Sequence, residues 1–522
     1  MSKHHITATV LFFIAVFSFA QEQLVPLGNS FRDGYLLQDN GNGQVFMGDG
    51  LFPVTEGQTG YVYHHDTLNR SSRKWFGRKL LREHFVEIRG EDYFLSIDPL
   101  INLNYGREVG IEERTLFTNT RAFQVSGEVL GKVSFYTAFH ENQARFASFQ
   151  SAYFDERGEK RLNALGEYYD ENATIPAGGR TKPFLEDAYD FAASSSHIRA
   201  NLHPKFTVQF GNTPNFIGWG YRSMLLSDNS FYATTLRMEY QITEKLRFTR
   251  MNAKHLNLFR RQFTNKVEAP YEKKNYSANY LTYSFNDKLV LGLFESQVYF
   301  REDSVQSQWM HPLYFNPIPF LNTAVFGWEN SDAKSLVGAN IGYRILPKTM
   351  LYGQVVFDEE LGYQVGIRAN DFIKVPKLFA QLEWNQASGQ LYAARNRRMA
   401  YTHFNFPLAH PLGNGFSEII ARWSYQWKGI YLESSSIFYT ANQSIENKTN
   451  LFGSKNVSSE IDEHTVLFQQ VELGYVFNPR TNLSVFGQLT YRASDGQSTG
   501  NRNTGIIQVG IKTRINNQYF DF

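Results

Sequence analysis

The chain has 522 residues, a formal net charge of only +2, 16% aromatic residues and no cysteine. A charge so close to balance argues against a nucleic-acid binder. The lack of cysteine excludes a disulfide framework, a thiolate metal site, a cysteine nucleophile and lipid attachment at an N-terminal cysteine.

Lys3, His4 and His5 precede an apolar stretch from Val10 to Phe17 and then Ser18-Phe19-Ala20. That is the layout of a secretory signal peptide over residues 1–20, with a mature chain expected to start at Gln21. No later segment offers the ~20 uninterrupted apolar residues of a membrane helix. Residues 21–90 differ from the rest and read as an N-terminal periplasmic or plug segment. Asp39-Asn40-Gly41-Asn42-Gly43 and Asp49 superficially resemble a calcium loop but lack its spacing. Between Asp66 and Phe85, Arg70, Arg73, Lys74, Arg78, Lys79 and Arg82 interleave with Trp75, Phe76, Leu80 and Leu81. This predicts a short basic helix, suited to plugging a periplasmic mouth, to anionic lipid head groups or polysaccharide, and equally to a solvated surface.

From residue 91 the side-chain period is two. Leu483, Val485, Leu489 and Tyr491 alternate with Ser484, Gln488 and Thr490, and Leu378, Ala380, Leu382 and Trp384 alternate with Gln381, Glu383 and Asn385. Ile507, Val509, Ile511 and Ile515 do the same against Gln508, Gly510, Lys512 and Arg514. Candidate strands lie near 91–106, 120–127, 131–140, 190–200, 204–211, 231–241, 245–259, 276–286, 288–300, 336–345, 348–358, 361–369, 377–386, 417–427, 429–440, 466–477, 481–491 and 504–515. Tight turns at Asn286-Asp287, Leu346-Pro347, Lys428-Gly429 and Asn478-Pro479-Arg480 alternate with long connections over 141–189, 212–230, 301–335, 387–416 and 441–465. One connection of the long parity, Glu359-Glu360, is short and predicts a low rim. The expected fold is all-β: a transmembrane antiparallel β-barrel of about 18 strands over 91–522, in the outer membrane of a Gram-negative cell, with both termini periplasmic and a short helical periplasmic element near the N-terminus. Phe522 supplies the terminal aromatic commonly read by outer-membrane insertion machinery. Phe520 and Phe522 do not continue the outward phase of Ile511 and Ile515, which leaves a bulge or a strand end at Asn516-Asn517.

Enzyme motifs are missing: no Gly-x-Ser-x-Gly elbow, no Gly-rich loop followed by Lys-Ser/Thr, no His-Glu-x-x-His helix. No enzyme activity, catalytic residue, metal or cofactor is expected. The densest constellation runs from Phe210 to Asn229 on the long-loop side. Its glycines permit close backbone approach, and Trp219, Tyr221, Arg222, Asp228 and Asn229 combine flat rings with donors and acceptors that could hold a sugar. A loop folding into the lumen around its own aromatics needs the same residues. A second such region, Tyr401–Phe416, carries His403 and His410, spaced in a Pro-rich loop in a manner more usual for packing than for a metal.

At these two loops the chain resembles the Wzi-type capsule-assembly barrels. The resemblance rests on Phe210-Gly211-Asn212 through Gly220-Tyr221-Arg222-Ser223-Met224-Leu225-Leu226-Ser227-Asp228-Asn229 and on Pro407-Leu408-Ala409-His410-Pro411-Leu412-Gly413. Lys74-Trp75-Phe76-Gly77-Arg78-Lys79-Leu80, Thr118-Asn119-Thr120-Arg121 and Leu351-Tyr352-Gly353-Gln354 add to it, and within the family the gliding-motility members are the most similar. The resemblance implies an eighteen-stranded outer-membrane barrel with a helical element at its periplasmic mouth, and a non-catalytic role in holding surface polysaccharide or in gliding. Implied partners are outer-membrane lipid, surface polysaccharide and motility or secretion proteins. Two other functions fit the same pattern: a diffusion porin for small solutes, and a scaffold subunit of a secretion or motility complex.

Overall fold

The computed structural model describes residues 23, 24, 27, 28, 32, 33, 48–55, 74–110, 114–162, 168–260, 271–300, 312–444, 461–496, 502–513 and 517–522. The leader expected over 1–20 and the first part of the basic segment, 66–73, lie outside them.

Eighteen strands close into one antiparallel barrel. They are β1 (Tyr93–Gly110), β2 (Arg114–Val129), β3 (Val133–Arg145), β4 (Ala188–His203), β5 (Phe206–Gly211), β6 (Thr235–Gln241), β7 (Leu246–Arg260), β8 (Tyr271–Asn286), β9 (Leu289–Tyr299), β10 (Ala333–Leu346), β11 (Thr349–Phe357), β12 (Leu361–Ala369), β13 (Leu378–Ala387), β14 (Phe416–Trp427), β15 (Ile430–Ser444), β16 (Ile461–Asn478), β17 (Leu483–Gly496) and β18 (Arg502–Thr513). The seam is β18 on β1, from Thr504 opposite Gly110 to Lys512 opposite Asn102. Below it a four-residue strand, Val86–Arg89, pairs with the start of β1 and extends the wall where β18 has ended.

Every strand expected from the alternation is present. Several are longer than the period suggests: β2 begins at Arg114 and β16 at Ile461. Their added ends lack a sustained apolar period, with only Leu116 and Phe117 in 114–119 and only Ile461 in 461–465, yet the ladder continues. The tight turns hold the short-turn rim. At β14–β15 the central residues Lys428 and Gly429 both have positive φ, 47° and 90°, the backbone twist that a two-residue hairpin requires. The residues assigned to the apolar face point outward: Trp384, Leu489, Ile507 and Val509 are all exposed.

The longer α-helices among the described residues are α1 (Trp75–Leu81), α2 (Ser148–Glu156) and α3 (Leu321–Phe326). The expected basic helix is α1. It sits at the short-turn rim, where Asn478 donates to the carbonyls of Lys79 and Glu83, both at 3.1 Å. The core of the molecule is the lumen itself, filled by inserts that enter from the long-loop rim and by residues 48–55 and 517–522.

Candidate functional site: the lumenal plug

The connection between β5 and β6 turns inward. Its Phe216 and Ile217 pair with Phe52 and Leu51 of the N-terminal segment, so part of residues 21–90 lies inside the barrel. Wall side chains hold the loop by its backbone. The Glu383 carboxylate on β13 accepts the Tyr221 and Arg222 N–H groups at 2.7 and 3.1 Å. Gln354 on β11 accepts the Met224 N–H at 2.7 Å and donates to the Ile217 carbonyl at 2.8 Å. A Cβ on Gly220 would lie 2.5 Å from Glu383 Oε2, which is why that position has no side chain.

All five candidate sugar contacts are inside. Trp219 is 2% exposed, Arg222 1% and Asn229 1%. The Trp219 ring packs among Phe52, Phe216, Met350 and Tyr352, and its carbonyl accepts from Arg368 at 3.1 Å. Arg222 donates to Asp521 at 3.0 Å and to Glu418 at 3.3 Å, between the rings of Tyr221 and Tyr519. Burial opposes its charge, but Asp521 and Glu418 raise its pKa well above the ordinary value. The Tyr221 hydroxyl donates to Asp521 at 2.7 Å, and burial followed by that carboxylate pushes its pKa up. Asp228 accepts from Tyr519 and Asn517 at 2.8 and 2.9 Å, and Asn229 donates to the Pro407 carbonyl at 3.4 Å. All five are therefore tied into the protein's own interior; Asp228 borders a small cavity of about 40 Å³, and Tyr221 borders a larger one.

The two loops singled out in the sequence meet here. His410 and Arg222 share one acceptor, Glu418, with His410 Nε2 2.6 Å from it. Ser227 N–H donates to the Leu408 carbonyl at 2.8 Å. Tyr392 and Tyr401 donate to the Met224 and Leu225 carbonyls at 2.6 and 2.7 Å. His403 lies apart from His410: it accepts the Leu256 N–H at 2.9 Å and stacks on His255.

The third component was not foreseen. After β18 ends at Thr513, residues 517–522 run inside the lumen, and Phe522 stacks on Tyr153 of α2 with ring centroids 3.6 Å apart. Its carbonyl accepts from Arg492, near the long-loop end of β17. Phe520 packs edge-on against Phe146 and Phe154. Of the two readings left open at Asn516-Asn517, a bulge or a strand end, the strand ends first, at Thr513. The tail, expected on the periplasmic side, finishes within the lumen. The mismatch between Phe520, Phe522 and the outward phase was the available signal. Glu383, Glu418, Gln354 and Arg368 were also missed as plug contacts, although they occupy the inward, polar phase of their strands.

A cavity of about 370 Å³ remains beside the plug, bounded by β1–β4, β14–β18 and the tail. Asn102, Asn142, Gln470, Gln488 and Gln508 line it with amides, and Tyr221 carries the Arg422 guanidinium 4.4 Å above its ring. Lys512 and Glu472 pair across 2.7 Å at its edge.

No protein-family model matches this chain, and no curated protein matches it in sequence. Among solved structures it is similar to Wzi of Escherichia coli, described as an outer-membrane protein involved in group 1 capsule assembly and a carbohydrate-binding β-barrel. The alignment covers 93% of this chain and 98% of Wzi with a TM-score of 0.52 and 12% identity. The fold is shared. Pseudomonas aeruginosa OpdK and OprD align over 80% of the chain, covering 98% and 94% of their own lengths, with TM-scores of 0.39 and 0.40 at 11% and 12% identity.

Proposed function

We propose that the protein is a non-enzymatic outer-membrane barrel that holds surface polysaccharide at the cell surface and thereby supports attachment or gliding. The observation that carries this is the filled lumen. Backbone groups of the plug are tied to wall carboxylates and amides by buried hydrogen bonds, an arrangement suited to a rigid anchor and poorly suited to diffusion of solutes. The remaining cavity adds a chemical argument. Amides, a tyrosine ring and a guanidinium around a few hundred Å³ are the complement of a short saccharide. Tyr221 is the one candidate contact that borders this space; Trp219, Arg222, Asp228 and Asn229 would act by positioning it. The motifs most like the gliding-motility protein RemB support extending the proposal to gliding.

The test has two arms. Binding of purified surface polysaccharide to the purified barrel, weakened by Tyr221→Ala, is expected, together with reduced retained glycan or reduced spreading in a deletion strain. Normal surface glycan and normal spreading would overturn the proposal. Because the cavity is polar, it is also the feature that would serve a narrow pore. Steady large conductance in planar bilayers would favour a diffusion porin instead.

A further inference from the structure

The connection between β9 and β10 differs from the lumenal loops described above. Residues 312–326 lie on the outside of the barrel. The phase of the wall shows this: Met251, Ala253, Ala278, Tyr280 and Phe294 belong to the lumenal core, so the alternate residues Arg250, Asn252, Asn279, Glu295 and Gln297 face outward. All five are nevertheless buried. What buries them is the loop. Asn252 donates to the Tyr314 carbonyl at 3.0 Å, and Arg250 donates to the same oxygen. Glu295 accepts the Phe320 and Thr323 N–H groups at 2.7 and 2.9 Å and the Thr323 hydroxyl at 2.7 Å, capping the start of α3. Asn322 donates to Gln297 at 3.0 Å and to the Tyr299 hydroxyl at 2.9 Å.

The position of this cluster is unusual. Along one hydrogen-bonded row, Met238, Arg250, Asn279, Glu295, Val337 and Phe357 stand side by side on the outer face. The row is apolar on both sides of a polar triad, and Phe357 is exposed. A guanidinium and a carboxylate within a lipid-facing band are costly unless covered and paired. The cover has the matching chemistry: from Pro312 to Trp328 there is no Asp, Glu, Lys or Arg. Its free surface carries Phe315, Ile318 and Val325, exposed by 62%, 57% and 57%.

We infer that residues 312–326 form a membrane-inserted flap, whose polar side is fastened to Arg250, Asn252 and Glu295 and whose apolar side contacts the acyl chains of the leaflet at the long-loop rim. The partner is lipid because the flap restores the apolar band that the triad interrupts. The cysteine-free chain makes the test direct. Val325→Cys and, separately, Ile318→Cys are labelled with an environment-sensitive fluorophore and the barrel is reconstituted in phospholipid vesicles, with Ser331→Cys as the exposed control. Lipids brominated on their acyl chains are expected to cause loss of emission at 318 and 325 but not at 331, and aqueous iodide the reverse. Quenching of 318 and 325 by iodide, with no effect of brominated lipid, would overturn the inference. So would efficient cross-linking of Ile318→Cys between two copies without lipid quenching, which would assign the surface to a second barrel.

Discussion

Arg222 is the residue on which most of the plug converges. It joins the β5–β6 loop to β14 through Glu418 and to the tail through Asp521. Replacing it with Met leaves the buried Glu418 and Asp521 carboxylates without the cation they share, at a cost of about 3–5 kcal/mol. Urea or thermal unfolding of the purified barrel should show this loss, with Arg222→Lys recovering part of it. Gly220→Ala places a methyl group against Glu383 Oε2. Overpacking of this kind costs about 1–3 kcal/mol, and the same unfolding measurement reads it. His403 adds a pH dependence. Burial, with the Lys274 ammonium nearby, pushes its pKa down to about 3, so the folded chain keeps it neutral. The unfolded chain takes up that proton below about 6.5. Its contribution to stability is therefore complete at neutral pH and declines steadily as pH falls from about 6.5 towards 3. His403→Gln should flatten that slope in unfolding midpoints measured between pH 7.5 and 4.

Among the elements, the C-terminal tail is the one whose removal is most informative. Residues 517–522 give Asn517 and Tyr519 to Asp228, Asp521 to Tyr221 and Arg222, and two phenyl rings to α2. None of these contacts belongs to the barrel ladder. Truncation after Gln518 should accordingly leave a barrel that migrates as folded on unheated gels while loosening the interior. A rise in planar-bilayer conductance over the intact protein is the expected sign. Unchanged conductance would mean that the two loops close the lumen without the tail.

At the scale of the whole molecule, the wall was legible and the filling was not. All eighteen strands could be read because one side of each faces hydrocarbon, and alternation such as Leu382 and Trp384 against Gln381 and Glu383 has no other simple cause. Loop parity followed from turn chemistry. The plug residues were recognisable as a dense constellation, but Trp219 and Arg222 suit a sugar platform and a buried anchor equally well, since both need flat rings and fixed donors. Only their partners decide, and those partners lie 149 to 299 positions away in sequence, at Arg368, Glu383, Glu418 and Asp521. The outward fold of residues 312–326 was illegible for the same reason, since it depends on a surface built by distant strands, whereas the turn of Phe520 and Phe522 left a trace in their break from the outward phase.

The seam between β18 and β1 has a consequence for assembly. Residues 48–55, which precede β1 in the chain, and residues 517–522, which follow β18, both lie in the interior, so the segments flanking the join on either side are lumenal. A wall that zipped shut first would have to admit both segments afterwards through a rim. The join and the interior should instead form together, and partly assembled chains should lack both. Limited proteolysis during refolding should then cleave the 212–234 loop and the tail until the unheated band shifts, and neither afterwards.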